Sequence, residues 1–245
     1  MRLTLRISAI AAGLLLYVPL HYLWKLQGRR SPWPRHFLAW AARASGMRVR
    51  TSGRPLPGNV LFVSNHLSWL DILIVAGATG AAFVSRDDIA RWPVIGWLAR
   101  LNNTIFVARS QRGAVRDQAD ALRDALASGQ PVALFPEGTT EGGHEVLPFR
   151  ASLFSSLFPP LPGVKVQPIA IDYGAAAEQI AWVGKEPAAA NVRRVLSRRS
   201  STEVTLHFLD PVDPATVGDR KALAEMSRAE VVDALFPSAA ARLPL

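Results

Sequence analysis

Apolar and polar positions divide this chain into two regimes: long apolar stretches near the amino terminus, then short apolar runs alternating with amphipathic ones. From Ile7 to Trp24 nearly every position is apolar, with Ser8, Pro19 and His21 as interruptions. A helix over this run spans roughly 27 Å, short of a ~30 Å bilayer core. Arg2 and Arg6 precede it, and Lys25, Arg29 and Arg30 follow it. The pattern predicts membrane attachment. A cleaved signal peptide lacks its small-x-small site here. A spanning anchor and a half-embedded interfacial helix both stay open, with a buried helix of a soluble core as the remaining alternative. Pro32 to Met47 reads as a second helix, opened by Pro32 and Pro34. Phe37, Leu38, Trp40, Ala41 and Ala44 can share one face, and Arg35, Arg43 and Arg48 project elsewhere. That is either a basic helix lying on a membrane or a surface helix packed on the domain.

From about residue 48 the rhythm shortens. Strands are predicted at Asn59 to Ser64, Ala81 to Ser85, Thr104 to Ala108, Pro131 to Phe135, Lys165 to Asp172 and Glu203 to Leu209. Helices are predicted at Ser68 to Ala78, Ala114 to Ser128 and Lys221 to Leu235. Ile89 to Leu101 reads as helical in part, broken by Pro93 and Gly96, and Ala175 to Ser201 as an irregular excursion. The alternation implies an α/β fold: a mostly parallel sheet flanked by helices, with an N-terminal membrane-associated helical segment. Residues 1–47 are expected to form the anchoring helices and residues 48–245 the α/β domain.

Composition narrows the chemistry. There are no cysteines among the 245 residues, which excludes disulfides, cysteine zinc sites and a catalytic thiol. The net charge of +9 favours anionic partners: nucleic acid, lipid headgroups or phosphate-bearing substrates. The densest basic run is Arg193, Arg194, Arg198 and Arg199, but no aromatics interleave it and no nucleic-acid motif is present. No nucleic-acid partner is therefore expected. An anionic membrane surface, an acidic carrier protein or plain solvent is the expected neighbour of that run. Three of the seven tryptophans lie in the first forty residues, in keeping with a membrane interface.

In an open α/β sheet, chemistry gathers at the carboxyl ends of strands. Three polar clusters fall there: Ser64-Asn65-His66, Arg109 to Arg112, and Pro136 to Thr140. His66 and Asp71 are five residues apart, so on one straight helix their side chains diverge by about 140°. They can meet only if His66 sits in the loop before the helix. An aspartate on one ring nitrogen then fixes the tautomer and frees the other nitrogen to take a proton. By itself the pair fits a capping aspartate beside a structural histidine better than a catalytic pair. No Gly-x-Ser-x-Gly elbow, metal-ligand spacing or Walker loop is present.

Four blocks in order resemble the 1-acylglycerol-3-phosphate acyltransferase (lysophosphatidic acid acyltransferase) family of glycerolipid acyltransferases. They are Asn65-His66-Leu67-Ser68-Trp69-Leu70-Asp71, Ile105-Phe106-Val107-Ala108-Arg109, Phe135-Pro136-Glu137-Gly138-Thr139 and Val166-Gln167-Pro168-Ile169-Ala170. The resemblance covers about residues 48 to 210 and implies direct acyl transfer without a covalent acyl-enzyme. His66 would be the base and Asp71 its orienting partner. Asn65, Arg109, Glu137, Gly138, Thr139 and Pro168 would line the substrate site, with Arg109 meeting the acceptor's phosphate. It implies acyl-CoA or acyl carrier protein as co-substrate, no resident cofactor or metal, and a membrane lipid acceptor. The enzyme would sit on the inner (cytoplasmic) membrane with its catalytic domain on the cytoplasmic side. Many phosphatidate-forming members carry arginine after the third block's threonine, where this chain has Thr140; that version resembles members that acylate lyso-ornithine lipid. Arg109 keeps lysophosphatidate first as the expected acceptor. A basic binding protein without catalysis and a catalytically inert scaffold are the competing classes.

Overall fold

The computed structural model describes residues 1–29, 31–107 and 114–237. Its elements run α1 (Arg2–Lys25), α2 (Trp33–Ala44), β1 (Met47–Ser52), β2 (Val60–Ser64), α3 (Leu70–Thr79), β3 (Ala82–Arg86), α4 (Pro93–Leu101) and β4 (Ile105–Val107). They continue with α5 (Ala114–Ala127), β5 (Val132–Leu134), β6 (Lys165–Asp172), α6 (Ala177–Ile180), α7 (Ala188–Ser197), β7 (Thr202–Phe208) and α8 (Arg220–Leu235). The strands form one sheet in the order β1-β7-β6-β2-β5-β3-β4. Neighbours are parallel except β6 and β7, so β1 and β7 run against the other five.

β2 is buried at all five positions, as a β-branched apolar run must be in mid-sheet with both faces covered. Its alternation sends Val60 and Phe62 into a core shared with α2, α3 and α7, and Leu61 and Val63 into one shared with α5 and α8. Full burial of a side chain such as Phe62 stabilises the fold by about 1.5–3 kcal/mol. β2, β5 and β3 therefore end together at one edge of the sheet, and the loops after them share a neighbourhood.

Several expectations change. β1 was not anticipated: its Arg48 and Arg50 break up the apolar pattern, yet it is an edge strand, where one side faces water. The stretch from Ala175 to Ser201 contains α6 and α7. α4 is unbroken, because Pro93 occupies its first position, where no intrahelical N–H is needed. Gly96 does not end it either: a Cβ there would lie 2.4 Å from the Ala90 carbonyl oxygen, so glycine permits close packing against the preceding turn.

α1 starts at Arg2 and lies along the domain rather than projecting from it. Arg6 donates to the Val195, Leu196 and Ser200 carbonyls (3.2, 3.3 and 3.3 Å), capping the end of α7. Trp40 Nε1 donates to the Ala9 carbonyl at 2.9 Å, and its ring covers Gly13, where a Cβ would lie 2.4 Å away. Tyr17 meets the rings of Trp33 and Phe37. The outward stripe stays bare: Leu15 is 79% exposed and Leu16 56%. α2 lies beneath it, with Phe37, Ala41 and Ala42 buried and Arg35 tied to the Gly77 and Ala78 carbonyls of α3. α2 is thus packed against both α1 and the domain.

Candidate active site

β2 ends at Ser64 and α3 begins at Leu70, so His66 lies in the connecting loop and Asp71 in the first helical turn. Asn65 makes the exit from the sheet possible. Its side-chain amide accepts from Ile171 N (2.8 Å) and donates to Ile171 O (3.0 Å). The side chain thus continues the ladder with β6 one step after the backbone has turned away.

Asp71 is fully buried and fully satisfied. Its Oδ2 accepts from His66 Nδ1 (2.8 Å), Leu67 N (2.7 Å) and Ser68 N (2.8 Å), and its Oδ1 accepts from the Tyr173 hydroxyl at 2.6 Å. The helix N-terminus favours its negative charge. With Nδ1–H committed to Asp71, His66 Nε2 carries the free lone pair and makes no hydrogen bond among the described residues. The ring is held flat against Phe135, with centroids 3.9 Å apart at 6°, and Phe83 stacks behind Phe135 at 5.5 Å. Burial, then the Asp71 charge and hydrogen bond, push the Tyr173 phenol well above its ordinary range, so it stays a donor.

Glu137 supports the same loop from below. Its Oε1 accepts from His66 N (2.8 Å) and its Oε2 from Leu147 N (3.1 Å). Burial pushes its carboxyl up to about 7; the two N–H groups oppose that shift, and the Glu141 and Asp71 charges add to it. Gly138 turns at φ +70°, and a Cβ there would lie 2.9 Å from the Arg150 guanidinium carbon. Thr139 is exposed at this turn. The Thr140 hydroxyl donates to the Trp182 carbonyl. Glu141 N donates to His66 O (2.9 Å) and Trp182 N to Leu67 O (2.8 Å), so two further loops clasp the His66–Leu67 segment.

The structure therefore brings His66, Asp71, Asn65 and Glu137 together, with Gly138 and Thr139 on the adjoining turn. Pro168 stays inside β6 opposite Val63, its carbonyl accepting from Leu209 N (3.0 Å). Arg109 and Arg112 lie outside the described residues. Tyr173 was not singled out from sequence; its place just after β6, at a strand's carboxyl end, was the available signal. In the basic run, Arg194 is bound to Glu186 and to the Gln179 and Ala181 carbonyls, and Arg198 to Thr202. Half of that run thus closes the fold rather than facing a partner. Among the described residues no group of three or more His, Asp or Glu side chains converges as a metal site.

A half-buried histidine hydrogen-bonded to a buried aspartate, its outer nitrogen free at the edge of a mostly parallel sheet, has the geometry needed to take a proton from a hydroxyl. Residues 47–172 match the model of the Acyltransferase family. The chain belongs to that family. It is 34% identical over 240 residues to the lyso-ornithine lipid O-acyltransferase of Brucella abortus, covering 91% of this chain and 90% of that one. It is 35% identical over 247 residues to the enzyme of that name from Rhodobacter capsulatus (94% and 88%). The 1-acyl-sn-glycerol-3-phosphate acyltransferase of Neisseria gonorrhoeae is 32% identical over 205 residues (80% and 78%). The fold matches the crystal structure of the 1-acyl-sn-glycerophosphate acyltransferase PlsC from Thermotoga maritima, with a TM-score of 0.69, 23% identity, and 99% and 97% coverage. The chain is an acyltransferase of lysolipids. Membrane association accords with that family and with α1, which is long and apolar enough to cross a bilayer by length and composition.

Proposed function

We propose that this acyltransferase esterifies the free hydroxyl of lyso-ornithine lipid, using acyl-CoA or acyl carrier protein as donor. His66 Nε2 takes the hydroxyl proton, and Asp71 stabilises the imidazolium that results. The oxygen attacks the thioester carbonyl, and the tetrahedral adduct collapses with loss of the thiolate. His66 returns its proton to that sulfur, so no proton is gained or lost. Glu137 and Asn65 hold the loop that carries His66, and Gly138 and Thr139 border the acceptor.

The observation that carries the choice of acceptor is Thr140. Its hydroxyl is spent on the Trp182 carbonyl, at the position where phosphatidate-forming patterns place a cation. The next residue is a carboxylate, Glu141, whose backbone is bonded to His66 O. An ornithine headgroup brings an ammonium and a carboxylate rather than a phosphate dianion. The Brucella and Rhodobacter relatives bear the corresponding name. Lysophosphatidate is the second reading, favoured by the Arg150 guanidinium beside Gly138 and by the Neisseria relative. Both donors are cytoplasmic, which puts the domain on the cytoplasmic side of the inner membrane with the bare stripe of α1 in that leaflet.

The test offers the protein in lipid labelled palmitoyl-CoA or palmitoyl carrier protein, with each lysolipid separately. Acylation of lyso-ornithine lipid, lost in His66→Ala, is the expected result. Thr140→Arg should move relative kcat/KM at least tenfold toward lysophosphatidate, about 1.4 kcal/mol. Product from lysophosphatidate alone in the unmodified protein would overturn the assignment.

A further inference from the structure

Outside the site, one surface is unlike the rest. Trp92, Val94 and Ile95 are 43%, 54% and 50% exposed, and Pro93 between them is exposed as well. Scattered apolar residues on a surface are ordinary, but four in succession that include a tryptophan are not. The segment is built, not loose. Gly96 N donates to Trp92 O (2.8 Å), and Arg100 reaches back to the Ala90 carbonyl (2.9 Å). These bonds lock the turn at Ile89–Arg91 against the first turn of α4.

Two further facts locate it. Val94, Leu98 and Leu101 repeat at helical spacing and so form one stripe. Leu98 and Leu101 are covered by α1 and α2, sharing a small cavity of about 30 Å³ with Tyr17, Val18, Trp33 and Phe37. Val94 carries the stripe past the end of that cover, so the bare patch is continuous with the packing of the two amino-terminal helices. The segment also follows β3, whose Phe83 stacks on Phe135, which stacks on His66. It therefore leaves the sheet at the edge that holds the base. Charges flank it on both sides, Asp87 and Asp88 before it and Arg91 and Arg100 around it, but none lies between Trp92 and Ile95.

We propose that Trp92 to Ile95 is a second membrane-contacting element, which enters the same lipid leaflet as the outer stripe of α1. Tryptophan at its head suits the headgroup level, and Val94 and Ile95 suit the acyl region just below. α1 alone would leave the protein free to rock about one helix axis. A second contact on the catalytic edge holds that edge on the lipid surface, and the lysolipid reaches His66 by lateral movement without passing through water. The inference rests on the lysolipid being presented in a membrane and does not depend on which lysolipid it is.

The absence of cysteine makes the test direct. Ile95→Cys, Leu16→Cys on the outer stripe of α1, and Met226→Cys on α8 are each labelled with an environment-sensitive fluorophore and mixed with phosphatidylethanolamine–phosphatidylglycerol vesicles. The Ile95 and Leu16 probes should shift to the blue and be quenched by spin-labelled lipid, and the Met226 probe should do neither. An Ile95 probe that stays in water overturns the proposal, whatever the Leu16 probe does. In parallel, Trp92→Glu with Ile95→Glu should raise KM at least tenfold for acceptor embedded in vesicles. The same variant should keep kcat, and its rate on acceptor dispersed in detergent. An unchanged KM on vesicles also overturns it, whereas failure of the acyltransfer reading would show as an unmodified protein that is inactive in both presentations.

Discussion

Replacing Tyr173 by phenylalanine removes one oxygen from the buried end of β6 and leaves the ring's volume in place. That oxygen reaches a single partner, Asp71 Oδ1, at 2.6 Å, and Asp71 has no exposed surface through which water could replace it. Asp71 keeps its three other donors, so the loss is one charge-assisted bond, about 1.5–3 kcal/mol. Urea unfolding of Tyr173→Phe should show a deficit of that size, which lowers the melting temperature by roughly 4–8 °C at about 2 kcal/mol. Activity should fall for a separate reason. One oxygen of Asp71 loses its anchor while the other still holds the His66 ring, so the base is less firmly aimed. A tenfold drop in kcat corresponds to about 1.4 kcal/mol, within that range. KM should stay put, because the buried phenol is out of the acceptor's reach. A stability within about 0.5 kcal/mol of the parent would refute the bond's strength, given what ordinary surface substitutions produce. A full stability loss with kcat intact would refute its role in aiming His66. Combining the change with Asp71→Asn should give less than the sum of the two losses in kcat, since both act through the aim of the same His66 ring.

Three further outcomes follow from the same contacts. Asp71→Asn alone should lower kcat by roughly 10²–10⁴-fold in a steady-state transfer assay, because its amide repels the Leu67 and Ser68 N–H groups and no longer fixes the imidazole tautomer. Glu137 titrates near 7 when folded against 4.5 unfolded, so the folded protein holds an extra proton between those values. Stability should therefore fall as pH rises through that window, by up to about 3 kcal/mol from this group, and Glu137→Gln should flatten the slope in urea titrations across it. Gly13→Leu drives a side chain into the Trp40 ring, which should cost about 1–3 kcal/mol and lift α1, read as faster proteolysis between Leu26 and Ser31.

The central strands were legible because burial on both faces demands continuous apolar runs, and Val60 to Ser64 or Lys165 to Asp172 can satisfy nothing else. The meeting of His66 with Asp71 was legible as a condition: the loop before α3 had to turn back, and it does. β1 was not, since an edge strand with Arg48 and Arg50 facing water carries half a pattern. The reversal between β6 and β7 was hidden too, because apolar alternation is the same for either direction. Tyr173 escaped notice because its meaning depends on a carboxylate 102 residues earlier. Thr140 was noticed for the arginine it replaces, whereas its actual partner, the Trp182 carbonyl, lies in a stretch with no periodicity to place it.

The capping of α7 by Arg6 joins residues 189 and 190 positions apart. During synthesis α1 leaves the ribosome long before its partner exists. At ordinary elongation speeds the interval is about 10–40 s. Through that time a helix with bare leucines along one side has no protein to cover the other. A bilayer can shelter both sides at once, and would hold the nascent chain until the last third arrives. On the proposed membrane attachment, Arg6 would exchange lipid headgroups for three carbonyls when α7 forms, and one flank of α1 would pass from lipid to protein while the other stayed where it began. The attachment proposed to serve catalysis would thus also be the chain's first folding partner.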